Sequence, residues 1–226
     1  MPRIIKSAKG SFTSSSITVD SSGRIVDASS GAGGAVMKPV LYEEGPASGT
    51  FNSSGNQVTV YAASGGGGGG GMSSSGPNSV QGGSGGFGIQ GIFTSDITPP
   101  FSQPYAVGAG GSAGQTGPGN QGNDGGAGGA TSIANLFSLN GGNAGTNGGE
   151  NQNGQNANPG SVGSGSFLKT FNSNAAFQLN NNVANTFRFG ISAAYGAGGG
   201  GGTRNSSGMQ QVAAGGKGVL YVFDNS

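Results

Sequence analysis

The chain has 226 residues, of which 53 are glycine and only 8% are charged, with a formal net charge of +1. Average globular sequences carry about 25% charged residues, and a near-neutral chain has no electrostatic footprint for nucleic acid or an anionic membrane. Cys and His are both absent, which excludes disulfides, thiolate catalysis and Cys- or His-based metal sites, and removes the usual general base.

Residues 1 to 38 hold five of the nine basic residues, namely Arg3, Lys6, Lys9, Arg24 and Lys38. Ser16-Ile17-Thr18-Val19-Asp20 alternates and reads as a strand, and Arg24-Ile25-Val26-Asp27 reads as its hairpin partner across Ser21-Ser22-Gly23. An isolated hairpin is marginal, so this segment needs the rest of the chain or a partner. Met1 to Gly10 is basic but leads into no apolar run, so no secretory signal is expected. Nowhere does the chain approach the roughly 18 apolar residues of a membrane span.

Val40-Leu41-Tyr42, Gly49-Thr50-Phe51 and Gln57-Val58-Thr59-Val60-Tyr61 read as strands, with turns at Gly45-Pro46 and at Ser53-Ser54-Gly55-Asn56. The last of them runs into seven consecutive glycines, Gly65 to Gly71, and a second tract spans Gly198 to Gly202. Between the two, glycine recurs in doublets and at three-residue spacing, as at Gly122, Gly125 and Gly128 or Gly142, Gly145 and Gly148. A glycine run has no side chain to bury and loses the most backbone entropy on folding. Collagen does not fit, because the glycine phase slips between Gly117 and Gly119 and there are only 9 prolines. The remaining ordered solution is a bundle of extended three-residue-per-turn helices whose amides pair laterally, the seven-glycine run spanning roughly 22 Å at its centre. Disorder is the competing reading on composition.

Three segments interrupt the glycine pattern: Ile92 to Tyr105, Thr131 to Leu139, and Phe167 to Tyr195. They read as variable loops on a rigid scaffold, or as aromatic caps of the glycine rods. Val219-Leu220-Tyr221-Val222-Phe223 reads as a closing strand that pairs with Val58 to Tyr61. Gly86 to Gly91 and Gly117 to Gly122 match the dinucleotide-binding glycine pattern, but chance matches are expected at this composition and neither lies in a strand-to-helix unit. The acidic residues are scattered, so a glycosidase-like pair such as Asp96 with Asp124 would have to be assembled by folding.

Gly49-Thr50-Phe51, then Val58-Thr59-Val60 leading into polyglycine, then Tyr105 to Gly114 and Gly215 to Val222, resemble the glycine-rich domains of bacteriophage tail proteins over about residues 40 to 226. Ile17 to Ile25 resembles a short segment of phage tail-fibre chains, and the body is similar in style to the distal adhesins of T-even-like phages. The resemblance implies a polyglycine-II helix bundle (a sandwich of such rods) clamped by short β-strands and otherwise irregular, with a small β N-terminal segment. Residues 1 to 38 would attach the chain to other phage tail proteins or trimerise it, and residues 39 to 226 would form the glycine-rich domain.

A receptor-binding virion protein is therefore expected, released on host lysis, forming a homotrimer and contacting an outer-membrane protein or glycan of the host. No enzymatic activity, cofactor, metal, nucleic acid or membrane insertion is expected. The candidate receptor contacts are Asp96, Phe101, Asn135, Phe137, Asn180, Asn181 and Asn182, because amides and aromatic faces suit sugars and surface loops. Gly65, Gly71, Gly198 and Gly202 mark the structural rods. A purely structural filament protein and an ice-binding glycine-rich bundle are the alternatives.

Overall fold

The computed structural model describes residues 15–19, 25–30, 38–72, 81–115, 122–149, 152–172, 195–201, 204–205, 208–209 and 212–224. Its regular secondary structure is entirely β, and no helix occurs among the described residues. Near the N-terminus, β1 (Ser15–Val19) pairs antiparallel with β2 (Ile25–Ser30), a separate two-stranded sheet at the site of the expected hairpin. The body begins with β3 (Lys38–Glu44), β4 (Ala47–Ser53), β5 (Gln57–Ala63), β6 (Ile89–Asp96) and β7 (Phe101–Val107). It continues with β8 (Thr131–Ile133), β9 (Phe137–Leu139), β10 (Val162–Ser164) and β11 (Phe167–Asn172). A two-stranded pair, β12 (Arg204–Asn205) with β13 (Gly208–Met209), precedes the closing strand β14 (Val219–Asp224).

Two five-stranded antiparallel sheets carry the fold, ordered β11-β6-β5-β14-β3 and β10-β9-β8-β7-β4. Strand alternation builds the core between them: Val58, Val60 and Ala62 of β5 are fully buried while Gln57, Thr59 and Tyr61 face the other way. Phe93, Leu220 and Val222 of the first sheet join Phe51, Tyr105, Val107, Ile133, Phe137 and Leu139 of the second in one apolar cluster. Burial of these side chains supplies the usual driving force, about 25 cal/mol per Å² of apolar surface.

The expected architecture is therefore corrected. The described residues do not form a polyglycine-II helix bundle that short strands merely clamp; their regular structure is all β, and its two sheets own an aliphatic and aromatic core. The physical reason lies in segments whose pattern suggests loops or rod caps. Ile92 to Tyr105 forms most of β6 and β7, and Thr131 to Leu139 is a hairpin of β8 and β9, because their β-branched and aromatic residues alternate and find an inner face to fill. β14 does pair with β5, Val219 opposite Ala63 through Asp224 opposite Val58, but its other edge carries β3.

The glycine segments extend from one end of this sandwich and are held mainly by backbone hydrogen bonds. Residues 62 to 72 are all buried, and every N–H from Gly65 to Gly71 donates to a carbonyl of another segment at 2.8 to 3.0 Å. The partners recur every third residue: Gly65, Gly68 and Gly71 donate to Gly129, Gly126 and Asn123; Gly66 and Gly69 to Gly216 and Ala213; Gly67 and Gly70 to Gly86 and Gly83. Carbonyls of the same run accept from Gly111, Gly114, Gly142, Gly145, Gly148 and Gly199. One buried glycine segment thus contacts six others, and with no water available each amide needs such a partner. A Cβ at Gly68 would sit 1.9 Å from the Ser112 carbonyl oxygen, so the close approach admits no side chain.

Two buried hydroxyls join this layer to the sheets. Ser64 Oγ accepts from Ile89 N and donates to the Asn140 carbonyl, at 2.8 and 2.9 Å. Thr131 Oγ1 accepts from Gly108 N and donates to the Ala63 carbonyl, at 3.0 and 2.8 Å.

Candidate functional site

The directions of the strands and glycine segments give the body two unlike ends. Segments 64–72, 108–115, 140–149 and 195–201 run away from the sheets, and 81–88, 122–130, 152–160 and 212–218 return, as the parallel and antiparallel hydrogen-bond registers require. The ends of these stems meet far from the sheets, where Gly71 donates to Asn123 and Gly148 donates to Gly71. This end is amide-rich: Asn147 N donates to Asp124 Oδ1 at 2.7 Å, Asn147 Nδ2 to the Gly122 carbonyl, and Gln81 N to Asn153 Oδ1 at 3.0 Å. β3 begins at the opposite end, where its Lys38 lies opposite Asp224, the last residue of β14.

The described candidate receptor contacts belong to the sheets and their turns, and none lies at the stem end. Asp96 is exposed at the sheet end, accepting from Gln57 Nε2 at 2.9 Å. Phe101 is half-buried beside Phe51, ring centroids 6.0 Å apart, and lines an open cleft of about 570 Å³ with Asn52, Ser53, Ser54, Pro99, Pro100 and Ser102. Asn135 is exposed at the β8–β9 turn with φ 62°, a left-handed conformation Asn tolerates, and its amide donates to Gln103 Oε1 at 3.0 Å. Phe137 is 2% exposed between Phe93 and Phe167, centroids 5.8 and 5.7 Å away, so it packs the core instead of facing a receptor. Asn180, Asn181 and Asn182 lie outside the described residues, as does Gly202, whereas Gly65, Gly71 and Gly198 stand in the glycine layer. Asp96 and Asp124 occupy opposite ends and form no carboxylate pair.

Sequence reasoning missed a connected group of polar side chains on the first sheet. On the outer face of the first sheet Tyr42, Tyr221 and Tyr61 stand opposite one another across β3, β14 and β5. Tyr42 and Tyr221 have ring centroids 4.5 Å apart, and Tyr221 and Tyr61 6.3 Å. Glu44, two residues along β3 on the same face, gathers the polar ends: Tyr42 and Tyr195 hydroxyls donate to its Oε1 and the Lys217 ammonium to its Oε2. Tyr61 donates to Gln90 Oε1 at 2.5 Å, and Gln90 Nε2 donates to the Tyr195 carbonyl at 3.2 Å.

Charge and hydrogen bonds set the ionisation here. The Lys217 ammonium, then the Tyr195 and Tyr42 hydroxyls, hold the Glu44 carboxyl down at about 2, well below its ordinary range. Burial, then the Tyr42 hydroxyl, pushes Tyr221 up to about 12. Tyr42 is raised chiefly by its bond to Glu44, and Tyr61 and Tyr195 chiefly by burial. The signal was present in the sequence, since Tyr42, Tyr61 and Tyr221 sit at alternate positions of expected strands, but their coincidence depends on register.

No family model matches this sequence, and no curated protein matches it. Among the described residues no cluster of acidic side chains could hold a metal ion, and no helix is long and apolar enough to cross a membrane.

Proposed function

We propose that the protein is a bacteriophage tail-fibre or tail-tip component that binds a host-surface receptor during adsorption. The observation that carries this reading is the polarity of the body: four out-and-back pairs of glycine stems meet at one end, and β3 enters at the other. Stems fixed by backbone hydrogen bonds make a rigid mount for the chain that joins them, and recognition is commonly placed on segments so held. Residues 1 to 38 attach the chain to other tail proteins in this reading, and three chains assemble together. Native mass measurement tests that number.

Gold-labelled antibody against residues 39 to 226, imaged on intact particles, tests the proposal. Label at the tail tip, together with competition for adsorption by the purified chain, is the expected result. Label along a shaft with no competition makes the protein a spacer, and absence of label from particles overturns the reading.

A further inference from the structure

The outer tyrosine face has the composition of a binding site. Tyr42 is 47% exposed, and its ring plane is inclined by 35° to that of Tyr221, centroids 4.5 Å apart. Its hydroxyl is tied to Glu44, so the aromatic face is presented with little rotamer freedom to lose on binding. Beside it the side chain of Lys217 is 48% exposed and that of Glu44 31%. An ammonium group has three donors, of which the bond to Glu44 occupies one. The paired carboxylate and ammonium leave the patch without net charge, and the tyrosine rings across the three strands have centroids 4.5 and 6.3 Å apart.

The geometry points to a glycan-binding site on this face, taking an uncharged hexose oligosaccharide whose C–H surface stacks on Tyr42 while its hydroxyls bond Lys217 and Glu44. Aromatic faces contribute apolar area and their hydroxyl ends tolerate water, the combination a sugar's two-sided chemistry requires. A charged polysaccharide is disfavoured by the neutralised pair. The biological role of the site rests on the surface-binding reading given above, but its chemistry does not.

Saturation-transfer NMR on the full chain with maltotetraose, cellotetraose and chitotetraose tests the proposal. At least one is expected to bind, with affinity falling about tenfold or more in Tyr42→Ala, falling less in Tyr42→Phe, which keeps the ring but not its tie to Glu44, and lowered in Lys217→Met, all without change in the far-ultraviolet spectrum. Binding of none of the three, or binding that Tyr42→Ala leaves intact, overturns it. Loss of the native oligomer in Tyr42→Ala, with no sugar bound by the wild type, makes the face a chain–chain contact and overturns it too. Oligosaccharide binding without any adsorption competition separates the two proposals: the site stands and the receptor reading falls.

Discussion

Glycine positions here differ sharply in what they tolerate, and the difference is steric. At Gly68 an added Cβ would meet the Ser112 carbonyl oxygen at 1.9 Å, whereas at Gly200 it would meet nothing within 4 Å. Gly68→Ala is therefore expected to destabilise the protein by roughly 3 kcal/mol or more, since neither backbone can move without breaking its own amide pairs. Gly200→Ala should be near neutral. Chemical denaturation of the two variants checks this, and equal midpoints would contradict it. Phe137 makes a second residue-scale case: as a core side chain its replacement by Ala should cost about 3 to 5 kcal/mol, where a surface contact would cost almost nothing.

Buried hydroxyls decide how the elements are joined. Thr131 begins β8 and is fully buried, bridging Gly108 of the glycine layer and Ala63 at the end of β5. Thr131→Val keeps the shape but leaves a buried N–H and a buried carbonyl without that partner, and should cost about 2 kcal/mol by thermal or chemical melting. Glu44 plays the corresponding part at the surface, tying β3 to Tyr195 and Lys217. Because its carboxyl is depressed to about 2, its contribution is present above the ordinary value of 4.5 and disappears as pH falls toward 2. Tyr221, raised to about 12, has the opposite sign: its contribution is whole below 10 and is lost as pH climbs from 10 to 12. Melting temperatures across both limbs should show these losses, and Glu44→Gln should flatten the acid one.

For the molecule as a whole, the question is whether a layer without side chains folds as part of the sandwich or separately from it. β5 continues directly into Ser64 and Gly65, β14 follows Gly218, and the glycine layer buries the ends of both sheets. Such continuity makes one cooperative unit. Native-state hydrogen exchange should find the amides of Gly66 to Gly70 protected to the same free energy as those of Val58, Val60 and Val222. Exchange from the glycines at much lower free energy would mean that the layer opens on its own.

Composition and spacing alone announced a chain in which seven residues have nothing to bury, no thiol or imidazole chemistry is available, and apolar strands lead into glycine at Val60 and out of it at Val219. Those statements follow from local properties: glycine's missing side chain and the alternation of β-branched residues. Only tertiary structure decided that Ile92, Phe93 and Tyr105 lie in strands, that Phe137 turns inward, and that three tyrosines far apart in sequence share one face with Glu44. Pairing register between strands distant along the chain sets each of these outcomes. A single-residue slip would send every one of those side chains to the opposite face, and no local pattern records the choice.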